Sequence, residues 1–113
     1  MNSGLIFYIS ERKIGGYLLS VEHPAGRSKA KFFRALGFID RDWMLLGKAL
    51  EDHAKNAKFV EAVETEFGVT YVHEGELETP SGRRPLLRSV WVATAGSACL
   101  RFVTAYPVRR VQQ

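Results

Sequence analysis

The segment from His23 to Phe33 holds more side chains able to bind an anion or move a proton than any other stretch of the sequence. His23 precedes a proline turn, and three cations, Arg27, Lys29 and Lys31, follow it closely. A histidine titrates near neutral pH, so His23 is suited to act as an acid or a base, although a turn histidine bonded to the backbone is the plain alternative. Cations at the start of a helix bind phosphate groups. The segment therefore indicates work on an anionic substrate.

The same segment predicts a helix from about Ser28 to Leu36, with Ser28 as its N-cap. Helical spacing places Lys29 on the apolar side of this helix, beside Phe33 and Leu36. A lysine in that position must reach past the apolar surface to water, pair with an acid, or hold an anionic ligand. Arg27 falls on the other side, where it either binds the same anion or is solvated at the helix entrance.

Further helices and a set of strands are predicted downstream. A helix begins near Asp40, and another is favoured over residues 55–68, although that run also alternates partly, as a strand would. From residue 69 the pattern has period two, which is typical of strands. The predicted strands cover residues 5–9, 70–78, 85–93 and 99–106. This order predicts one α+β domain, residues 1–113 with a core of about 5–107, whose N-terminal helices pack on an antiparallel meander of three to four strands.

Simple hairpin registers divide the strand residues between the two faces of the sheet. The more apolar face is predicted to pack on the helices, and the mixed face to form an open cleft. In this cleft, Glu74, Arg88 and Thr104 are predicted to lie side by side across three strands. Arg88 either pairs with Glu74 or binds substrate. The remaining assignments place Phe102 and Tyr106 on the cleft face, His73 in the core beneath the helices, and His53 on a helix surface.

Charge is distributed unevenly along the chain, whose net charge is +4. Residues 1–50 carry eight Lys/Arg against four Asp/Glu, residues 51–78 carry two against eight, and residues 79–113 carry six arginines and no acid. Such a chain can fold into a positive surface beside a negative one. The positive surface would attract phosphates. The alternative is that its arginines only keep a sheet edge solvated.

Composition argues against several classes of protein. A hydrophobic fraction of 46% and a charged fraction of 25% are those of an ordinary globular domain. No apolar run is long enough to cross a bilayer and the N-terminus does not resemble a secretory signal, so we expect no membrane partner. The single cysteine, Cys99, predicts a reducing, cytoplasmic setting. Because His and Cys do not recur at metal-ligand spacing, we expect no metal and no cofactor.

The sequence resembles an uncharacterised bacterial domain family in five runs: YLLSVEHPAGRSKAKFFRALGF, FGVTYVHEGEL, TPSGRRP, RSVWVA and RFVTAYP. Members occur as small single-domain proteins and as the C-terminal tips of large polymorphic toxins. The segment HPxGRxKAxFF is the most specific part of the resemblance. The family looks related to the barnase, colicin and RelE-like group of metal-independent ribonuclease toxins. Those proteins have N-terminal helices packed on an antiparallel sheet, with the active site on the exposed sheet face.

The resemblance implies cleavage of RNA by attack of a 2′-hydroxyl on the adjacent phosphate, without a metal. A base takes the hydroxyl proton, cations neutralise the phosphate, and an acid protonates the leaving 5′-oxygen. For Thr104 the alternative is a β-forming residue in an ordinary sheet, which is the commoner case, and for Tyr106 it is a ring that covers the core. The expected roles are acid or base for His23 with Glu74 in reserve, phosphate binding for Arg27, Lys29 and Arg88, orientation for Thr104, and base stacking for Tyr106.

A toxin of this kind would be restrained by a cognate immunity or antitoxin protein, which we expect to be acidic and to cover the cleft. Two alternatives stay open. The first is a non-catalytic module of a mobile element that binds RNA or an acidic protein through the same basic face. The second is an accessory or structural protein whose basic patch is incidental, and it would show no salt-sensitive binding of nucleic acid.

Overall fold

A computed structural model describes residues 6–19, 27–66, 68–93 and 96–108 of the protein. The described strands form one sheet in the order β1-β5-β4-β3-β2, in which β1 is parallel to β5 and all other neighbours are antiparallel. A π-helical turn continues α1, and a 3-10 turn leads into α3. The elements are β1 (Ile6–Tyr8), α1 (Glu11–Lys13), α2 (Arg27–Ala35), α3 (Trp43–Asn56), β2 (Lys58–Thr65), β3 (Gly68–Glu76), β4 (Leu86–Ala93) and β5 (Cys99–Pro107).

The two longer helices form where the sequence predicted them, and α3 packs closely on the sheet. Leu46, Leu50 and Ala54 recur at helical spacing on α3 and are buried. The C-terminal end of α3 approaches β3 at Gly75, where an added Cβ would lie 3.0 Å from the Cβ of Ala57. A residue without a side chain is therefore what allows this approach. The helix is one layer of the domain and the sheet is the other.

The helix predicted over residues 55–68 is wrong, because this segment forms the edge strand β2. Phe59 and Val63 are spaced as on a helix, yet they stay 50% and 45% exposed, so they are not a core stripe. The segment instead pairs with β3 along its length, from Lys58 to Thr65. Pairing with a neighbour thus overrides the local helical spacing, as is common for β-branched and aromatic segments.

The predicted α+β arrangement is confirmed in outline, but the sheet differs from the prediction. It has five strands rather than three to four, and it is mixed rather than wholly antiparallel. The difference comes from both edges. Residues 6–8 pair in parallel with β5, and residues 58–65 add β2 at the other end.

The helix-facing side of the sheet follows the alternation along β4, where every second residue is buried. His73 is 1% exposed on this face, as predicted, between the rings of Phe7 and Phe59. Phe102 was placed on the cleft face, which is wrong: it is 4% exposed in the core, opposite Trp91. A register shift in β5 between the partners of Val90 and Trp91 adds one residue and turns Phe102 inward.

Candidate active site

The open face of the sheet carries a row of polar side chains that crosses three strands. In the strand pairing, Glu74 of β3 lies opposite Arg88 of β4, and Arg88 lies opposite Tyr106 of β5. Their neighbours Ser89 and Ala105 are fully buried toward the helices. Because successive strand residues point to opposite faces, the row projects away from α3. Directly opposed side chains on one face are close enough to interact.

An ion pair forms the centre of this row. Arg88 Nε lies 2.7 Å from Glu74 Oε1, and the two side chains are 36% and 27% exposed, so a ligand can reach them. The pKa of Arg88 is raised, first by this hydrogen bond and then by hydrogen bonding to Tyr106. An arginine has five N–H donors, so a guanidinium held in this way retains donors for an anion. Of the two alternatives stated for Arg88, the pairing with Glu74 is present in the structure.

Lys29 extends the row from the helical layer. Its Nζ donates to the carbonyl oxygen of Ala105 at 3.3 Å and lies 5.8 Å from the ring centroid of Tyr106. An ammonium at this distance from an aromatic face is held by a cation–π interaction. Lys29 therefore lies on the same side of the molecule as Arg88, with Tyr106 between them. We refer to Lys29, Tyr106, Arg88 and Glu74 together as the polar row.

Thr104 lies beside the polar row rather than within it. Its partner across the strands is Val90, and the partner of Arg88 is Tyr106. Of the three residues predicted to lie side by side, Glu74 and Arg88 are in register, but Thr104 is displaced from the position opposite Arg88 by two residues along β5. A diagonal position of this kind is still within reach of a long side chain.

Two predicted site residues cannot be located in the same way. His23 lies outside the described residues. Arg27 begins α2, but its side chain is outside what the structure describes. Among the side chains that are described, Lys29, Arg88, Glu74 and Tyr106 come together.

His53 was predicted on a helix surface, and this is wrong, since it is 4% exposed beneath the sheet. Its Nε2 lies 2.9 Å from the carbonyl oxygen of Leu87 and 3.1 Å from that of Gly75, and its Nδ1 lies 3.1 Å from Ser89 Oγ. Carbonyls only accept, so Nε2 carries the proton and Nδ1 accepts from Ser89, whose oxygen accepts from Trp91 Nε1 at 2.8 Å.

This buried network indicates a structural role for His53. Burial lowers its pKa below 6.5, although the two carbonyl acceptors oppose the shift. The neutral ring clamps α3 to the backbone of β3 and β4. The sequence contained a usable signal, because His53 follows Leu46 and Leu50 at the spacing of the buried stripe.

A cleft of about 630 Å³ lies between α3 and the β3–β4 connection, away from the polar row. The charged residues of its rim form ion pairs, such as Lys48–Asp52 at 3.4 Å and Arg84–Glu78 at 2.9 Å, and among them three acids face two bases. By contrast, the polar row joins an acid, a phenol and two cations on an open surface. The row is the stronger candidate for chemistry on a phosphate.

Within the described ranges, no group of three or more His, Cys, Asp or Glu residues could hold a metal ion. In the same ranges, no helix is both long enough and apolar enough to span a membrane. Fold and site together define an α+β domain with a polar site on the exposed face of its sheet.

Comparisons with known proteins place the chain in a family. The model of a domain of unknown function, DUF6883, matches residues 5–109, so the chain belongs to that family. No curated protein gives a significant match. A contact-dependent growth inhibition toxin–immunity protein complex from Klebsiella pneumoniae 342 contains a chain of similar structure, with a TM-score of 0.69. That chain is 20% identical, and the match covers 88% of this chain and 98% of that one, which shows a shared fold.

Proposed function

We propose that this domain is a metal-independent ribonuclease of the toxin type, acting on RNA in the cytoplasm at the polar row. One observation carries the proposal. Lys29, Arg88 and Glu74 are brought to one exposed surface from a helix and two strands, with Tyr106 joining them. Cleavage of a phosphodiester requires a group that accepts a proton and cations that stabilise the charge developing on the phosphate. A carboxylate beside two cations can supply both.

In the proposed reaction, Glu74 accepts the proton of the 2′-hydroxyl, whose oxygen then attacks the adjacent phosphorus. Arg88 and Lys29 neutralise the charge that develops on the phosphate oxygens. The bond from phosphorus to the 5′-oxygen breaks, and that oxygen takes a proton from His23. The products are a 2′,3′-cyclic phosphate and a 5′-hydroxyl. Tyr106 offers an aromatic face to a base, and Thr104 and Arg27 orient the substrate.

The shared fold supports a protein partner for the same site. The similar chain comes from a toxin–immunity protein complex. We propose that an acidic immunity or antitoxin protein covers the polar row of this domain and pairs with Lys29 and Arg88. Such a partner would associate quickly and in a salt-dependent way, because opposite charges steer the encounter.

A second candidate is a non-catalytic module that binds RNA through the same surface. The observation that favours it is the 2.7 Å contact by which Glu74 holds Arg88, since an ion pair across two strands also suits a purely structural role. In that case Glu74 never accepts a substrate proton, and its loss leaves RNA binding in place.

Incubation of the purified protein with total RNA in EDTA distinguishes these functions. We expect wild type to produce 2′,3′-cyclic ends, and Glu74→Gln and His23→Ala to be slower by roughly 10²–10⁴-fold, the usual contribution of a general acid or base. Glu78→Gln is the matched control, because Glu78 is 81% exposed and pairs with Arg84 at the rim of the separate cleft.

The outcomes separate the candidates. Cleavage by wild type and Glu78→Gln but not by Glu74→Gln supports the ribonuclease. Intact RNA with salt-sensitive binding overturns catalysis and favours the binding module. If the protein is folded but neither cleaves nor binds RNA, RNA is not its ligand.

A further inference from the structure

The outer edge of β2 is open to another strand. β2 ends the sheet, and among the described elements only β3 pairs with it. All eight of its residues are exposed. The backbone N–H and C=O groups on its outer side therefore have no strand partner among the described residues. An edge of this kind is a template on which a further strand can form hydrogen bonds.

β2 has only some of the features by which natural edge strands usually avoid pairing with a further strand. A lysine, Lys58, and a register shift between Phe59 and Glu61 lie near its start. From Glu61 to Thr65 the strand then pairs regularly with β3 and contains no proline. Val63 lies in the middle of this regular part and is 45% exposed. The regular part therefore has the even pairing, and in Val63 the exposed apolar side chain, that a partner strand could use.

The charge of this edge selects the partner. Glu61 lies opposite Val72 and faces the open side of the sheet, whereas Glu64 lies opposite Val69 and faces the helical side. Both faces of the regular part are therefore acidic. Such an edge repels nucleic acid and attracts an extended chain with basic side chains.

We propose that β2 is a docking edge for an extended, basic segment of a partner protein, which pairs with Glu61–Thr65 as a sixth strand. Backbone hydrogen bonds supply affinity, and lysine or arginine side chains beside Glu61 and Glu64 supply selectivity. A second copy of this chain fits less well, because pairing two β2 strands brings two acidic sets together. The docking edge is independent of the polar row, which crosses β3, β4 and β5.

A titration followed by NMR tests the proposal on the whole ¹⁵N-labelled chain. The probe is a capped peptide of about eight residues in which valine alternates with lysine or arginine, a length within the usual range of strands. We expect saturable shifts of the amide signals from Glu61 to Thr65. The same peptide with glutamate at each basic position is expected not to bind. A peptide alternating lysine and proline has the basic charge but few N–H donors, and it is expected not to bind either.

Charge reversal on the protein gives the matched variants. The double variant Glu61→Lys with Glu64→Lys is expected to bind the basic peptide about tenfold or more weakly, since two attractions become two repulsions. Glu11→Lys with Glu51→Lys changes the net charge equally at exposed or partly exposed positions outside β2 and is expected to leave binding unchanged. RNA cleavage is expected to be equal in both double variants, so failure of the docking edge and failure of the proposed ribonuclease are separate results.

Three results would overturn the proposal. The first is the absence of β2 shifts at millimolar basic peptide with a folded protein. The second is equal binding of the lysine–proline peptide, which would reduce the effect to charge alone. The third is a concentration-dependent shift of β2 without peptide together with a dimer mass in light scattering, which would make a second copy the occupant.

Discussion

Acidification is expected to weaken this fold through two buried histidines. Burial lowers the pKa of His53, and burial together with the nearby His53 lowers the pKa of His73. The two rings are 4% and 1% exposed. His73 Nδ1 has no hydrogen-bond partner among the described residues, so a proton added there would also lack an acceptor.

The sign of the effect follows from proton uptake. In the unfolded chain each histidine binds a proton as the pH falls through about 6.5, whereas the folded ring stays neutral until a lower pH. The unfolded state then holds more protons, so stability is complete above that value and is lost as the pH falls. Between about pH 7.5 and about pH 5.5, one histidine that remains neutral in the fold lowers the free energy of unfolding by about 1.4 kcal/mol. The upper limit for both histidines is therefore about 2.7 kcal/mol.

Urea unfolding, followed through the fluorescence of the buried Trp91, measures this loss at each pH. The informative variant is His73→Leu, which keeps the volume roughly constant and removes the titrating ring. We expect the loss between the two pH values to shrink by up to about 1.4 kcal/mol in this variant, whatever its absolute stability. A wild-type protein equally stable at both pH values would refute the reasoning, and so would a variant that loses as much as wild type.

Two more substitutions test the packing and the site. Gly75→Ala is expected to destabilise the domain by about 1–3 kcal/mol in urea unfolding, because its Cβ would lie 3.0 Å from Ala57 Cβ and α3 would have to shift. Gly15→Ala, whose Cβ meets nothing within 4 Å, is its control, and equal effects would contradict the close approach. Lys29→Met is expected to keep the fold and to weaken binding of a labelled RNA about tenfold in fluorescence anisotropy, relative to Lys31→Met at an exposed position of the same helix. If Lys29→Met unfolds the domain instead, the bond from Lys29 to Ala105 is structural.

Local signals predicted the parts of the fold that local interactions determine. The turn between β3 and β4 has local turn chemistry, because Thr79 Oγ1 donates to the Arg83 carbonyl oxygen at 2.6 Å and Gly82 has a φ of +86°. This turn sets the register of the β3–β4 hairpin. The pairing of Glu74 with Arg88 could therefore be predicted from the sequence.

Non-local interactions account for the errors. β1 pairs with the last strand of the chain, and no short-range pattern encodes a contact between the two ends. The extra residue in β5 is a feature of the β4–β5 pairing, and it moves Phe102 from the cleft face to the core. The β4–β5 register also decides which residue of β5 lies opposite Arg88. The prediction placed Thr104 there, but the register places Tyr106 there.

The uneven charge of the chain explains why the ion pair between Glu74 and Arg88 lies where it does. Consecutive strands β2 to β5 are neighbours in the sheet, so charge segregation along the sequence becomes a gradient across the sheet. The acidic segment supplies β2 and β3, and the arginine-rich segment supplies β4 and β5. Glu74 and Arg88 meet at the boundary between them. A phosphate is therefore expected to approach the sheet from the side of β5 and Lys29, and a basic strand is expected to approach from the opposite edge.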